Sequence, residues 1–241
     1  MGATELILIR HGESAGNVAA THAQRTGAEV IDVGLRDPDV PLSSDGERQA
    51  VALGAWLASL PGEERPDSVW CSPYLRARQT AELAGLSPFR VDERLRDREL
   101  GILDLLTSRG VAARYPVEAE RKQWLGKFAY RPPGGESWAD VALRLRSLLR
   151  DLDDAEDGHR VAVVCHDAVI LLLRYVCEGL LEAELLDIAS ANSVRNGSIT
   201  RLVRPSGTGF WNVAAFNGVD HLAAGGAPVT EHAGDENVHP R

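Results

Sequence analysis

With 241 residues, 44% of them hydrophobic and 25% charged, the chain has the size and composition of one globular unit that can bury a core without disulfide or metal staples. A formal net charge of −9 argues against a general nucleic-acid binder, which carries the opposite balance. No window holds the roughly 18 apolar residues of a membrane span, the start lacks a basic leader, and Cys71, Cys165 and Cys177 lack C-x-x-C spacing, so a cytoplasmic protein with structural cysteines is expected.

Residues 5–10, with the apolar block Leu6 to Ile9, read as a short buried strand that ends in the polar, flexible run His11-Gly12-Glu13-Ser14. Residues 18–42, interrupted by Gly27, Gly34, Pro38 and Pro41, read as an irregular excursion. Ser44 to Glu47 matches a capping box, and Ala50, Leu53, Gly54, Leu57 and Leu60 follow at helical spacing. A second short strand over 68–71 precedes a helix over 74–84 opened by Ser72-Pro73. Strand, polar turn and helix thus recur, which predicts an α/β fold: a three-layer α/β/α sandwich with a mostly parallel central sheet. Residues 88–136 are less regular. Ser137 then caps a helix carrying Trp138, Val141, Leu145, Leu148 and Leu152 on one stripe. Residues 161–165 form the clearest buried strand, followed by His166-Asp167 and an apolar helix to about Glu178, with late strands over 198–203 and 210–216. A single domain over 1–222 with a lid insertion at about 102–136, and a flexible tail over 223–241, are expected.

Ligands of an open α/β sheet bind outside the carboxyl ends of its strands. Those ends carry Arg10-His11-Gly12, then Ser72-Pro73 with Arg76 and Arg78, then His166. A neutral imidazole is a good nucleophile toward phosphorus and a viable leaving group near neutrality. Arginine forks match the equatorial oxygens of a phosphoryl group in transfer, and the departing oxygen needs an acid nearby. Arg78 reads as structural or solvated, and His22, His159, His221, His232 and His239 as surface or tail residues. The acidic run Asp151, Asp153, Asp154, Glu156, Asp157 reads as a solvated helix end. No His/Asp set has metal-ligand spacing, so neither metal nor cofactor is expected.

Four stretches carry a resemblance: Leu8 to Ser14 with Asn17, Ser72-Pro73 through Arg76 to Thr80, Val163 to His166, and Gly135-Glu136-Ser137. Together they resemble the signatures of the histidine phosphatase superfamily, also called phosphoglycerate mutase-like, and they span residues 5 to about 203. The resemblance implies His11 as the phosphorylated nucleophile, Arg10, Arg76 and His166 as the clamp on the phosphoryl oxygens, and Asn17 as a support for the same phosphate. The family's proton donor lies in a Leu-x-Glu-x-x-x-Gly segment. Here that segment is Leu95-Arg96-Asp97-Arg98-Glu99-Leu100-Gly101, which puts Asp97 at the donor position with Glu99 as its competitor. Asp97 is one methylene shorter than the glutamate of the mutases. Asp167 stands where many members carry glycine, and its carboxylate would orient His166, cap the next helix or oppose a dianionic substrate. In this family the insertion lies over the pocket. Lys122, Lys127 and Arg131, interleaved with Trp124, Phe128 and Tyr130, would either wall a phosphorylated substrate or form a lid packed by its aromatics with the cations snorkelling.

The resemblance therefore implies a metal-independent phosphomonoester hydrolase that acts on a small phosphorylated metabolite through a phosphohistidine at His11. Its rivals are phosphoglycerate mutase-type transfer, in which a second alcohol replaces water, and a non-catalytic regulatory role. A small phosphorylated substrate is the expected partner, with no nucleic acid and no membrane; a homodimer is left open.

Overall fold

Leu6–Ile9 and Val161–Cys165 are buried throughout, the pattern of strands covered on both faces of a sheet. In the computed structural model, which describes residues 2–191 and 193–232, these runs are strands β1 (Glu5–Arg10) and β4 (Arg160–Cys165), paired in parallel at the centre of the sheet. β2 (Ser68–Cys71) lies parallel on the other side of β4, and the two-residue β3 (Arg90–Val91) extends that edge. β5 (Ile199–Val203) and β6 (Asn212–Gly218) add antiparallel strands beyond β1, giving the order β3-β2-β4-β1-β5-β6. The fold is the expected three-layer sandwich with a mostly parallel sheet.

Side chains of a strand alternate between faces, and the two halves of the core follow that alternation. Leu6, Leu8, Val161, Val163 and Cys165 face α6 (Trp138–Ala155) and α7 (Asp167–Glu178). Ile7, Ile9, Ala162 and Val164 face α2 (Ser44–Ser59) and α3 (Leu75–Leu83) through Leu53, Leu57, Ala77 and Ala81. All three cysteines are free and buried, and burial raises each thiol, that of Cys71 to about 12, so they act as core residues.

Four expectations need correction. The stretch from 18 is not irregular at its start, because α1 (Ala15–Thr26) occupies it, opened by a capping box in which Ser14 accepts from the Asn17 N–H and Asn17 accepts from the Ser14 N–H. The cap of α2 is Ser43 rather than Ser44; its hydroxyl accepts from the Gly46 N–H and donates to Glu13 Oε2 at 2.8 Å. The insertion contains two helices, α4 (Ser108–Arg114) and α5 (Pro116–Ala129), the latter kinked where Gly126 takes φ 78°. α8 (Glu182–Ala191) and α9 (Asp220–Ala224) complete the helices among the described residues. Chain expected as tail is packed as far as His232, and residues 233–241 lie outside the described residues.

The amino end of α2 presses on the loop after β1 so closely that neither backbone leaves room for a side chain. A Cβ on Gly46 would collide with the carbonyl oxygen of Glu13, and one on Gly12 would meet that of Gly46 at 2.5 Å. Gly46→Ala should therefore lower stability in urea denaturation by about 1–3 kcal/mol, the usual cost of overpacking. Gly62→Ala, with nothing within 4 Å of the new methyl, should leave it within about 0.5 kcal/mol.

Candidate active site

The carboxyl ends of β1, β2 and β4 bring the predicted residues together. Beyond β1, His11 keeps its N–H in the ladder on Cys165 O at 3.0 Å, while its Nδ1 meets the Gly12 carbonyl at 2.6 Å. That acceptor fixes the proton on Nδ1 and leaves the lone pair on Nε2. Arg76, on the first turn of α3, points Nε at this nitrogen from 3.3 Å. The His166 ring lies 5.1 Å from that of His11, edge to face, and its Nε2 is 2.8 Å from Ser72 Oγ. The Asp97 carboxylate 3.3 Å from Nδ1 favours the imidazole proton on that nitrogen, so that Nε2 accepts from the Ser72 hydroxyl, which itself accepts the Tyr74 N–H. Arg10 donates through Nη1 to the carbonyl of Val194.

Two donors in this cluster are buried without a hydrogen-bond partner: Arg10 Nε and His166 Nδ1. The latter lies 3.3 Å from Asp97 Oδ2 but is not aligned for a hydrogen bond. Burial is the main cause that holds both histidines well below the ordinary imidazole range; Arg76 adds to it for each, with His166 and Arg10 acting on His11. Burial alone would work against the Arg76 charge, yet Asp37 and then Asp97 more than restore it. The outcome is a neutral nucleophilic nitrogen beside a permanent cation, with two donors awaiting an acceptor.

Asp97 and Glu99 are sorted by their partners. Asp97 Oδ2 lies 3.2 Å from Arg76 Nη2, within the histidine–arginine cluster. Glu99 accepts the Tyr74 hydroxyl at 2.9 Å and its side chain is 47% exposed. The loop carrying both acids is set by the Gly135-Glu136-Ser137 motif. Glu136 pairs with Arg96 at 2.6 Å and with Arg144 at 3.0 Å, and Arg144 Nη2 donates to Asp97 O at 3.1 Å. Gly101 (φ 56°) closes that loop, where a Cβ would strike the carbonyl of Pro133. Asp167 does not cap α7: the cap position is His166, and Asp167 Oδ1 accepts the Ala168 N–H at 2.7 Å in the first turn. Arg78 is exposed, as expected.

These residues open onto a cavity of about 1230 Å³ whose lining includes Arg10, His11, Asn17, Arg76, Asp97 and Glu99. Asn17 carries its capping role there, its Oδ1 also accepting from Asn196 Nδ2 at 3.1 Å. Four contributors escaped the sequence reading. Asp37, in the supposed excursion, grips Arg76 Nη1 through Oδ1 at 2.9 Å, and burial, set against Arg76, raises its carboxyl. Gln49 accepts the Glu13 N–H and donates to Pro228 O and Thr230 Oγ1, each at 2.9 Å. Asn196 donates to His11 O at 3.4 Å while its N–H donates to Thr230 O. His232, expected on the surface or in a tail, lines the cavity. His221 is likewise buried rather than superficial, on Gly197 O at 3.0 Å. None of the four left a signal in the sequence, because each acts through tertiary contacts.

Among the described residues, no group of three or more His, Cys, Asp or Glu is arranged to hold a metal ion, and no helix is long and apolar enough to cross a membrane.

This constellation on this fold defines a class: the chain belongs to the histidine phosphatase superfamily (branch 1), whose profile matches residues 6–217. It is 33% identical over 189 residues to a 6-phosphofructo-2-kinase/fructose-2,6-bisphosphatase of Caenorhabditis elegans, an alignment covering 76% of this chain and 36% of that protein. The chain thus spans about a third of the length of the bisphosphatase relatives. It is also 31% identical to a 2,3-bisphosphoglycerate-dependent phosphoglycerate mutase of Methylobacterium radiotolerans, covering 76% of this chain and 83% of the mutase. Among solved structures, a mycobacterial glucosyl-3-phosphoglycerate phosphatase superposes with a TM-score of 0.69 at 29% identity, over 89% of this chain and 98% of its own.

The buried neutral histidines make stability depend on pH. Unfolded, each imidazole takes up a proton near pH 6.5; folded, His11 and His166 do so only at lower pH. As pH falls through 6.5 the unfolded state gains protons that the folded state does not, so stability is lost, by up to about 1.4 kcal/mol per pH unit per histidine. Above that pH the effect vanishes. Urea titrations at pH 7 and 5 should show this fall, and His11→Asn should flatten it; equal slopes in parent and variant would contradict the assignment.

Proposed function

We propose that the chain is a metal-independent phosphomonoester hydrolase that works through a phosphohistidine on His11. The observation that carries this reading is the pair of buried, partnerless donors, Arg10 Nε and His166 Nδ1, beside a neutral imidazole whose lone pair sits on Nε2. A buried donor without an acceptor costs about 1–3 kcal/mol, and a bound phosphoryl group supplies the missing oxygens.

In the first half-reaction His11 Nε2 attacks phosphorus in line, the N–P bond forms, and the ester P–O bond breaks. Arg10, Arg76 and His166 hold the charge on the equatorial oxygens, and Asn17 supports the loop that holds His11. Asp97, whose carboxyl lies within this cluster, reacts in its protonated form and gives that proton to the departing alkoxide, becoming the carboxylate. In the second half the same carboxylate takes a proton from water as that oxygen attacks phosphorus and the N–P bond breaks, which restores His11. The relatives named above include phosphatases, which favours water as acceptor; the mutase relative keeps an alcohol as the alternative. The substrate is a small phosphorylated metabolite.

Rapid quenching after mixing with a ³²P-labelled aryl phosphate should trap an acid-labile, alkali-stable phosphoenzyme that His11→Ala lacks. Asp97→Asn should still form it from an activated aryl ester while losing about 10²-fold or more on alkyl esters, since only the poorer leaving group needs the proton. Activity unchanged in His11→Ala, or abolished by EDTA and restored by Mg²⁺, would overturn the reading. Free phosphate as the product, rather than an isomerised phosphoglycerate, separates hydrolase from mutase.

A further inference from the structure

Tyr74 occupies the cap position of α3, just after Ser72-Pro73, and the mechanism above leaves it unused although it is only 3% exposed. Its ring stands edge-on to His166 with 5.1 Å between centroids, and the Arg76 guanidinium carbon lies 4.9 Å from the ring centre. A phenylalanine would make the same ring contacts. They do not explain the hydroxyl. It donates to Glu99 Oε1 at 2.9 Å, and a hydrogen bond to an ionised carboxylate is among the stronger ones a side chain makes. Burial raises the phenol, and the bond to Glu99 with the charges of Glu99, Asp37 and Asp97 raises it further. The proton therefore stays on the tyrosine, and the bond keeps its direction through the neutral range.

Glu99 lies two residues beyond Asp97 on a loop anchored mainly from the α6 side. Arg144 Nη2 donates to Asp97 O at 3.1 Å, Glu136 Oε2 accepts the Glu99 N–H at 3.3 Å, and the Glu136 N–H donates to Glu99 O at 2.9 Å. Two hydrogen bonds tie the same loop to the α3 side: Arg76 Nη2 to Asp97 Oδ2 at 3.2 Å, and the Tyr74 hydroxyl to Glu99. The first shares its guanidinium with any anion that enters. The second lies outside that exchange. Arg96 Nε, 4.0 Å from Glu99 Oε1, stands beyond hydrogen-bond reach. The Tyr74 N–H also donates to Ser72 Oγ, which meets His166 Nε2 at 2.8 Å, so one residue links the histidine to the acid loop.

We propose that Tyr74 is a positioning residue for proton transfer, which through its hydroxyl and Glu99 holds the segment bearing Asp97 at a fixed distance from His11 and Arg76. This rests on the hydrolase reading above, with Asp97 as its donor. The tie matters because aspartate is a short acid whose reach is set by its backbone, and a misplacement of about 1 Å can cost up to 10²-fold in rate. When a phosphoryl group draws Arg76 away from Asp97, the tyrosine still holds the loop. Glu99, with its carboxylate taken by the phenol, is then a tether and not a second donor.

The test takes the ratio of kcat/KM for an alkyl phosphate to that for an activated aryl phosphate, since only the alkyl leaving group needs the proton. Both substrates are measured on one protein sample, so partial misfolding of a variant cancels. Tyr74→Phe, which keeps the ring, should lower the ratio by about tenfold. Glu99→Leu should lower it equally, and the double variant no further. Glu99→Gln still offers the hydroxyl an oxygen and should hold the ratio within about threefold of the parent's. In Asp97→Asn, where no acid is left to position, adding Tyr74→Phe should leave the already reduced ratio unchanged. A parental ratio in Tyr74→Phe, or a further fall when it is added to Asp97→Asn, overturns the positioning role and leaves the hydrolase reading intact. A fall in Glu99→Gln as deep as that in Asp97→Asn also overturns it, because Glu99 would then be a donor itself. If the parent hydrolyses neither ester, the hydrolase reading fails and the positioning role with it.

Discussion

The site depends on one buried charge. Arg76 sits 4% exposed on the first turn of α3, where a guanidinium would be ruinous without compensation. Asp37 and Asp97 provide that compensation from two distant stretches of chain, and the same guanidinium meets His11 Nε2. One side chain thereby fixes the spacing between a nucleophilic nitrogen, a carboxylate and the cation that lies between them. Whatever anion enters also competes with Asp37 and Asp97 for the guanidinium, so binding exchanges internal ion pairs for external ones and does not simply add to them.

Around this charge the backbone is unusually constrained. Thr80 accepts the Gly12 N–H at 3.0 Å, the α2 terminus presses on Glu13, and Asn196 reaches the His11 carbonyl. The loop after β1 is thus gripped by helices from the layer beneath it and by the turn before β5. The proposed in-line attack needs His11 held at a fixed angle, and rigid elements on several sides achieve that better than one long loop could.

The central strands, their order of layers and the histidine–arginine cluster were legible because each follows from local pattern: apolar runs of four to six residues, polar residues immediately after them, and arginine on a first helical turn. Asp37 was not legible. It occupies a 3₁₀ turn among breakers, and its role arises only when α3 is packed beside it. α1 escaped because its apolar face is weak and its capping partner is Asn17 rather than the glutamate or glutamine usual at that position. The insertion looked irregular for a related reason: α5 has no fully buried residue, only Phe128 packing part-buried on the core, so its sequence lacks the periodicity that marks a core helix.

The segment from Pro228 to Thr230 carries a consequence of its own. It is latched by two fully buried amides, Gln49 and Asn196, whose other hydrogen bonds run to Glu13, His11 and Asn17. Val229 within it is half-exposed, so little apolar burial holds it down. Peeling it away would leave amide groups short of partners next to His11, which makes it a small cooperative opening unit. Amide exchange along this strap and at the His11 loop should therefore rise and fall together, because the same two amides hold both.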